Sequence, residues 1–335
     1  MRILLALILW LLPALATAQD WEDRQLFGDP RGTPLRVLSS TDTSFFVPVI
    51  EDFRARHPGV SVDYLVTGTA EIERLFRASP DAYDVVISSA MDLQLKLAND
   101  GLALRIEGLG QPDWAEWRES LFAFTSEPAA IVINKAAFAG HPIPRSRQEL
   151  ITALRARPDD FRGRIGTYDV RRSGLGYLFA TQDARASETF WRLMEVMGSL
   201  EARLYCCSGE MIDDLAAGRI AVAYNVLASY AEARADSRDR LEIILPSDFP
   251  TTMMRTAFVS ARAAQPGAAR DFLRHLLAVQ ATGVLPLPGL DAGDAGAGRV
   301  TIPLEPALMT YLDALKRRTF LDEWESAVIQ PRPAD

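Results

Sequence analysis

Hydroxyl-bearing side chains follow three successive predicted strands in the first third of the chain, at the point where each strand ends. Hydroxyl groups and free backbone N–H groups at a helix start bind oxyanions and carboxylates. Because the carboxyl ends of parallel strands meet at one edge of a sheet, these turns are predicted to line one ligand site. Turns are rich in Ser, Thr and Gly for conformational reasons alone, but repetition in three turns favours a site. The candidates are Ser39, Ser40, Thr41, Asp42, Thr67, Gly68, Thr69, Ser88 and Ser89.

A second group of candidates lies near the middle of the chain, again between a predicted strand and a predicted helix. Ser173 can cap that helix and Gly174 leaves its N–H groups accessible, which is the arrangement of an anion cradle. Arg171 or Arg172 could add a bidentate contact to an anion. The alternative is a capped helix with two solvated arginines. The candidates are Thr167, Tyr168, Asp169, Ser173 and Gly174.

Three further polar residues are candidates for ligand contacts. Tyr224 and Asn225 end a predicted strand and offer an aromatic ring and an amide. Arg255 lies where the chain is predicted to cross back to its first half, and it could reach a ligand there. The competing interpretation of Arg255 is an ordinary surface ion pair. Ser208 and Glu210 are interpreted as a helix cap and a first-turn acid with a structural role.

The sequence lacks the motifs of common enzymes and metal sites. It contains no H-E-x-x-H, no Walker A, no G-x-S-x-G and no Cys/His metal spacing. We therefore predict a binding protein and not an enzyme, with no cofactor and no metal site. Asp42 and Asp169 would suit a hydroxyl, an amine or a cation on the ligand. Tyr230 is interpreted as a packing residue.

The candidate turns are positioned by an alternation of strands and helices. Residues 35–38 form a short apolar run, and Phe45, Phe46, Val49 and Phe53 recur at three- and four-residue spacing on one helix face. The strand–helix unit repeats three times. This alternation predicts an α/β fold with mostly parallel sheets flanked by helices.

Residues 1–18 have the features of a secretory signal peptide. Arg2 precedes an apolar run over residues 3–15, and a small-x-small cleavage site ends at Ala18. Cleavage after Ala18 would release the protein into the periplasm without membrane insertion, because no later segment has enough consecutive apolar residues to cross a bilayer. The formal net charge of −8 over 335 residues argues against nucleic acid as a partner.

The two cysteines of the chain, Cys206 and Cys207, are adjacent. A bond between neighbours closes no useful loop, and their Cα atoms are closer than disulfide geometry usually prefers. Two half-buried thiols are therefore predicted, with a vicinal disulfide as the alternative.

Five segments together resemble the extracellular solute-binding proteins of ABC importers, ferric-binding-like members in particular. They are LRVLSSTDTSFFVPVIEDFRARHPGV, YDVVISSAMDLQLKLANDG, IGTYDVRRSGLGYLF, GRIAVAYNVLASYA and AARDFLRHLLA. The resemblance implies two type II-like α/β lobes, a small-molecule ligand in the cleft between them, and an ABC permease as partner. After a polar segment at 19–34, lobe 1 is predicted to comprise residues 35–128 and 250–335, and lobe 2 residues 129–249.

The ligand expected from the resemblance differs from the one that the residues suggest. Ferric-binding members hold iron through neighbouring tyrosines, whereas this chain has Tyr224-Asn225, no Tyr-Tyr pair, and no histidine in the turn at 39–42. Fe(III) prefers phenolate and carboxylate oxygens, so the hydroxyl-rich cleft predicts a small oxyanion or carboxylate instead. The protein is predicted to be a monomer. The alternative function is a periplasmic sensor that presents its closed form to a membrane histidine kinase.

Overall fold

The computed structural model describes residues 21–234, 239–280, 282–290 and 300–330. The predicted signal peptide lies outside these residues. Within the described ranges, no helix is both long enough and apolar enough to cross a membrane.

Strands and helices alternate between residues 23 and 134. In order they are β1 (Asp23–Phe27), β2 (Leu35–Ser39), α1 (Thr43–Arg56), β3 (Val62–Val66), α2 (Thr69–Ala78), β4 (Val85–Ser88), α3 (Met91–Asn99), β5 (Glu116–Trp117), β6 (Leu121–Ala123) and β7 (Glu127–Asn134). Short 3₁₀ turns lie at Pro80–Ala82, Asp113–Ala115 and Lys135–Phe138.

The rest of the chain continues the alternation with more helix. In order the elements are α4 (Arg147–Ala156), α5 (Pro158–Phe161), β8 (Ile165–Tyr168), α6 (Gly174–Ala186), α7 (Thr189–Ser199), β9 (Arg203–Tyr205), α8 (Ser208–Ala216), β10 (Val222–Leu227), α9 (Ala228–Glu232), β11 (Leu241–Ile244), β12 (Thr251–Met253), β13 (Thr256–Val259), α10 (Pro266–Val279), β14 (Val300–Thr301) and α11 (Ala314–Val328). A 3₁₀ segment, Pro306–Leu312, precedes α11.

The described strands form two sheets, which with their helices we call the first and the second lobe. The first sheet has the order β1-β3-β2-β4-β13-β6-β5, and the second has the order β14-β12-β7-β10-β8-β9 with β11 paired to β7. Parallel pairing joins β2 to β3 and β4, and β8 to β9 and β10. Most other pairs, such as β13 with β4 and β7 with β10, are antiparallel. The predicted two-lobed α/β fold is confirmed, but the sheets are mixed and not mostly parallel as predicted. Strands that the chain adds at the edges and where it returns between the lobes, such as β1, β13 and β11, pair antiparallel with their neighbours.

The predicted strand–turn–helix at the start of the first lobe has the expected core face. Phe46, Val49, Ile50 and Phe53 of α1 are fully buried. The polar segment before residue 35 adds β1, which pairs antiparallel with β3. Four of the five β1 residues are exposed, so this edge strand carries no alternating pattern that a sequence could reveal.

The C-terminal helix α11 packs on the second lobe. Its residues Phe320 and Trp324 belong to the same buried cluster as Phe190 of α7. Gly198 of α7 lies so close to the carbonyl oxygen of Ala327 that a methyl group there would overlap it. The helix is therefore held to the second lobe by close backbone packing as well as by apolar contacts.

Asp92, in the first turn of α3, links stability to pH. It is 2% exposed, and burial raises the pKa of its carboxyl group to about 7. The pKa of this carboxyl group is near 4 in the unfolded chain, so between about pH 4 and pH 7 only the folded state keeps the proton. The free energy of unfolding therefore falls as the pH rises from about 4 to about 7. We expect the free energy of unfolding of Asp92→Asn, measured relative to wild type, to increase by about 2–3 kcal/mol from pH 5 to pH 8.

Urea unfolding of both proteins at pH 5 and pH 8 measures this difference. Asp100→Asn is a suitable control, since its carboxyl pKa is lowered beside Arg77 and Lys96. A constant free-energy difference between Asp92→Asn and wild type over this pH range would contradict the prediction.

Candidate ligand-binding site

A cleft of about 530 Å³ lies between the two lobes. The opening turn, the β3–α2 turn and the β4–α3 turn line it from the first lobe, and β8, α6, α8 and the β10–α9 junction line it from the second. Of the predicted residues, nine line the cleft. They are Ser40, Asp42, Thr67, Gly68, Thr69, Ser89, Tyr168, Ser173 and Arg255.

The N-termini of four helices of nine residues or more meet at this cleft. The residues that precede α1, α2, α6 and α8 are Asp42, Gly68, Ser173 and Cys207, and all four line the cleft. Only Ser173 caps its own helix, accepting a hydrogen bond from Gly176 N at 3.1 Å. The other three caps make no side-chain hydrogen bond to their helices. Four positive helix ends therefore converge on the cleft, where each can stabilise a negative charge.

Hydroxyl groups of both lobes surround these helix ends. Ser40 Oγ accepts a hydrogen bond from Ser89 N at 3.2 Å, which joins two of the predicted turns. Thr69 Oγ1 of the first lobe accepts from Leu175 N of α6 at 3.2 Å. This contact bridges the cleft, so the lobes touch beside the hydroxyl-rich wall.

Three carboxylates, those of Glu22, Asp42 and Glu210, also line the cleft. They lie at helix starts, because Asp42 precedes α1, Glu210 is in the first turn of α8, and Glu22 Oε1 lies beside Gly68, which precedes α2. Partial burial raises the pKa of Glu22, and repulsion from Asp42 and Glu210 raises it further. The Tyr230 hydroxyl of the second lobe donates to Asp42 Oδ1 at 3.1 Å. The cleft thus combines helix ends and hydroxyls with carboxylates, and of the four helix starts only that of α6 has no acidic residue at its cap or in its first turn.

Two tyrosines supply aromatic surface from the second lobe. The hydroxyls of Tyr168 and Ser208 share a hydrogen bond of 2.5 Å. Burial raises the pKa of Tyr168 and of Tyr230. Both phenols are therefore neutral at physiological pH and act as hydrogen-bonding groups, not as phenolates.

Arg255 lines the cleft, but its charge is already paired. Its Nε and Nη2 donate to the two carboxylate oxygens of Glu127 at 3.0 and 3.1 Å, and its Nη1 donates to Thr41 Oγ1 at 2.6 Å. Ser229 and Thr125 also donate to Glu127. Both members of the ion pair are buried. The structure therefore contains a buried ion pair where the sequence suggested a ligand contact or a surface pair.

Tyr224 and Asn225 do not line the cleft. The Tyr224 hydroxyl donates to Asp183 at 2.6 Å and accepts from Arg147 Nε at 2.8 Å, and Asn225 Nδ2 donates to Asp183 at 2.7 Å. Arg147 and Asp183 form a fully buried ion pair. These two predicted residues satisfy an internal charge network and do not face a ligand.

Three of the remaining predicted residues form hydrogen bonds within the protein and do not line the cleft. Ser39 Oγ accepts from Tyr64, Ser88 Oγ accepts from Ala90 N, and Asp169 accepts from Arg171. The predicted residues that do not line the cleft are Ser39, Thr41, Ser88, Thr167, Asp169, Gly174, Tyr224 and Asn225.

The structure adds cleft residues that the sequence analysis missed or assigned to structural roles. Ser208, Glu210 and Tyr230 line the cleft, because α8 and α9 begin at its edge. Others come from residues before β2 and from the start of α1, where polar composition was the only signal. The added residues are Glu22, Asp23, Thr43, Ser44, Val66, Leu175, Cys206, Cys207, Ser208, Gly209, Glu210, Leu227 and Tyr230.

The prediction of two free thiols is wrong. Cys206 and Cys207 form a disulfide between adjacent residues. The turn between β9 and α8 holds the two sulfurs side by side at the cleft, and adjacency did not prevent bonding.

Two α/β lobes that meet around a polar cleft define a two-lobed periplasmic binding protein. The sequence matches the family of bacterial extracellular solute-binding proteins over residues 35–286, and the chain belongs to that family. The substrate-binding protein of an ABC transporter from Agrobacterium tumefaciens is 32% identical, with a TM-score of 0.85 over 91% of this chain and 98% of that one. The resemblance inferred from the sequence is confirmed: this is a periplasmic solute-binding protein of the ABC transporter type.

More distant structures share the fold. AfuA from Actinobacillus pleuropneumoniae, solved with fructose-6-phosphate bound, is 13% identical with a TM-score of 0.71 over 89% of this chain and 99% of that one. Iron-bound HitA from Pseudomonas aeruginosa is 12% identical with a TM-score of 0.67 over 88% and 99%. A comparison with curated protein sequences gives no match.

Proposed function

We propose that this protein captures a small ligand carrying an oxyanion or carboxylate group and delivers it to an ABC permease. The observation that carries the proposal is the convergence of four helix N-termini on one cleft. Ser40, Thr69 and Ser89 place hydroxyl donors beside these helix ends. No free arginine is needed, because backbone N–H groups and hydroxyls can bind an anion by themselves.

We propose further that the ligand carries a hydroxyl or ammonium group away from its anionic end. Glu22, Asp42 and Glu210 would repel a simple anion but accept hydrogen bonds from such a group. AfuA was solved with fructose-6-phosphate, and a ligand of that class would place its phosphate at the start of α6, which has no acidic residue, and its hydroxyls at the carboxylates. Fe(III) is less well supported, because the raised pKa values of Tyr168 and Tyr230 disfavour the phenolates that iron requires.

Closure of the two lobes would desolvate the ligand and create the surface that the permease binds. The Tyr230–Asp42 and Leu175–Thr69 contacts across the cleft support such a closed arrangement. We place the crossings between the lobes near residues 128 and 250, as the sequence predicts, and propose that α11 moves with the second lobe because it packs there. The protein would act as a monomer. The sensor alternative gains no support from the relatives.

A thermal-shift experiment with matched probes tests the ligand class. The pairs are fructose-6-phosphate against fructose, and 2-aminoethylphosphonate against ethylphosphonate, with ferric citrate and citrate as a third pair. A ligand at a hundredfold excess over its Kd stabilises the protein by about 2.7 kcal/mol. We expect anionic probes with a hydroxyl or amine to raise the Tm most. Stabilisation by neutral sugars or by ferric ion alone would overturn the proposal.

Removing one hydroxyl group from the hydroxyl-rich wall of the cleft is expected to weaken ligand binding without unfolding the protein. Ser89→Ala and Thr69→Val should each raise the Kd of a stabilising probe about tenfold, because a hydrogen bond to a charged group contributes about 1.5–3 kcal/mol. Thr152→Ala, on the exposed side of α4, is the matched control. Isothermal titration calorimetry measures the three Kd values, and an unchanged Kd in both cleft variants would contradict the assignment of this wall.

A further inference from the structure

The adjacent cysteines lie among carboxylates at the edge of the cleft. The two sulfurs and a carboxylate oxygen of Glu22 all lie within 4.8 Å of one another. A carboxylate oxygen of Glu210 lies 3.9 Å from Cys206 Sγ. Glu22 reaches this point from the first lobe, while the cysteines and Glu210 belong to the second.

This disulfide has little to contribute to global stability. The stabilisation that a disulfide gives by loop closure grows with the length of the loop, and here the loop is the shortest there is. Other contacts hold the turn between β9 and α8, including the hydrogen bond of Ser208 to Tyr168 at 2.5 Å. Gly209 also packs beside the Asp42 carboxylate and the Tyr230 ring. The turn therefore has the contacts to keep its place when the disulfide is reduced.

We propose that the reduced pair, Cys206 and Cys207, forms with Glu22 a binding site for a borderline-soft divalent cation such as Zn²⁺ or Cd²⁺. Thiolate and carboxylate ligands about 2.3 and 2.1 Å from a tetrahedral ion lie roughly 3.5–3.8 Å apart. The three donor atoms already lie within 4.8 Å of one another, so small movements of the side chains after reduction would bring them to these separations. Glu210 or a water molecule would supply the fourth ligand.

The chemistry requires a reductant, for which a dithiol is the appropriate class. The dithiol transfers two electrons and two protons to the sulfurs, the S–S bond breaks, and the reductant leaves as its own disulfide. The divalent ion then displaces the two thiol protons and binds the thiolates. Both sulfurs are half-buried and line the open cleft, so the reductant can reach them.

The surrounding charge favours a cation at this position. The carboxylates of Glu22 and Glu210 both lie beside the sulfurs, and a divalent ion there would be attracted to both. The oxidised protein has no thiolate here, so tight binding of a soft metal is confined to the reduced state. This site does not depend on the identity of the transported ligand.

Titration of the full-length mature protein with Cd²⁺ alone tests the proposal. The protein is reduced, freed of reductant without oxygen, and compared with the oxidised protein by ultraviolet absorption and native mass spectrometry. We expect one Cd²⁺ per reduced chain with thiolate-to-metal absorption, and no such absorption in the oxidised chain. Because the chain has only two cysteines, any thiolate absorption reports on this pair.

Variants assign the carboxylate ligand. Glu22→Gln should keep the thiolate absorption but weaken Cd²⁺ binding at least tenfold. The control Glu51→Gln, on the exposed face of α1, should leave both the absorption and the affinity for Cd²⁺ unchanged. The double variant Cys206→Ser with Cys207→Ser should lose the absorption. The proposal fails if reduction unfolds the protein, judged by circular dichroism, if the reduced chain binds no Cd²⁺, or if Glu22→Gln binds it as tightly as wild type.

Discussion

Glu127→Gln is expected to destabilise the protein by about 3–5 kcal/mol, because it leaves Arg255 buried without its counter-charge. Arg255 is 1% exposed and Glu127 is fully buried. The two carboxylate oxygens of Glu127 accept from Arg255 in a bidentate pair. Urea unfolding monitored by fluorescence would report the loss as a lower midpoint.

Glu127→Gln should weaken ligand binding in the cleft as well as lower the stability of the fold. Arg255 also donates to Thr41 of the opening turn, and Ser229, next to Tyr230, donates to Glu127. The ion pair thus joins the opening turn of the first lobe to β7 and α9 of the second. We expect a probe that stabilises the wild-type protein to give a smaller Tm rise in Glu127→Gln.

Glu119→Gln is the matched control for this prediction. Glu119 pairs with Arg105, whose side chain is 67% exposed, so its loss should cost no more than about 1 kcal/mol. If the penalty at Glu127 comes from an unpaired buried charge, the double change Glu127→Leu with Arg255→Met should regain part of the lost stability. A Glu127→Gln penalty as small as that of Glu119→Gln would show that the pair is not needed.

Gly176→Ala is expected to cost about 1–3 kcal/mol and to weaken ligand binding at least tenfold. A methyl group at Gly176 would overlap the Cβ of Tyr168, and it would lie 3.1 Å from the Cβ of Ser173. Both neighbours line the cleft, and neither Cβ can move without its backbone. The first turn of α6 would therefore shift away from β8, and the cleft residues Ser173 and Tyr168 would no longer be positioned to bind the ligand.

Gly267→Ala provides the control for backbone effects. Gly267 lies in the first turn of α10, where an added methyl group meets nothing within 4 Å. Alanine is the better helix former, so this change should be neutral or slightly stabilising. Circular dichroism and calorimetry on the two variants separate the overlap from the change in helix propensity. Equal stability of both variants would contradict the close contact at Gly176.

Local patterns in the sequence were sufficient to predict the framework of the cleft. The apolar spacing of α1 and the short runs of β2 and β4 arise from burial of one face, which repeats with the period of the helix or strand. Ser40, Thr69 and Ser89 follow directly from those elements, because a residue at the end of a parallel strand is placed by the strand itself. These three residues line the cleft as predicted.

Contacts between distant residues decided the rest. Tyr224 sits at a strand end, as its sequence predicts, but Arg147 and Asp183, which lie 77 and 41 residues away, hold its hydroxyl in the interior. Tyr230 meets Asp42 across 188 residues. A buried charge needs a partner wherever the fold brings one, and periodicity within one segment carries no information about that partner.

The position of Glu22 in the cleft and the disulfide are also decided by the tertiary structure alone. Glu22 precedes β1, an edge strand with four exposed residues, and nothing in its local sequence distinguishes it from a surface acid. Only the pairing of β1 with β3 brings Glu22 to within 4.8 Å of Cys206 and Cys207. The sequence by itself determined a two-lobed binding protein with hydroxyl-rich turns, whereas packing between the lobes decided which charges those turns face.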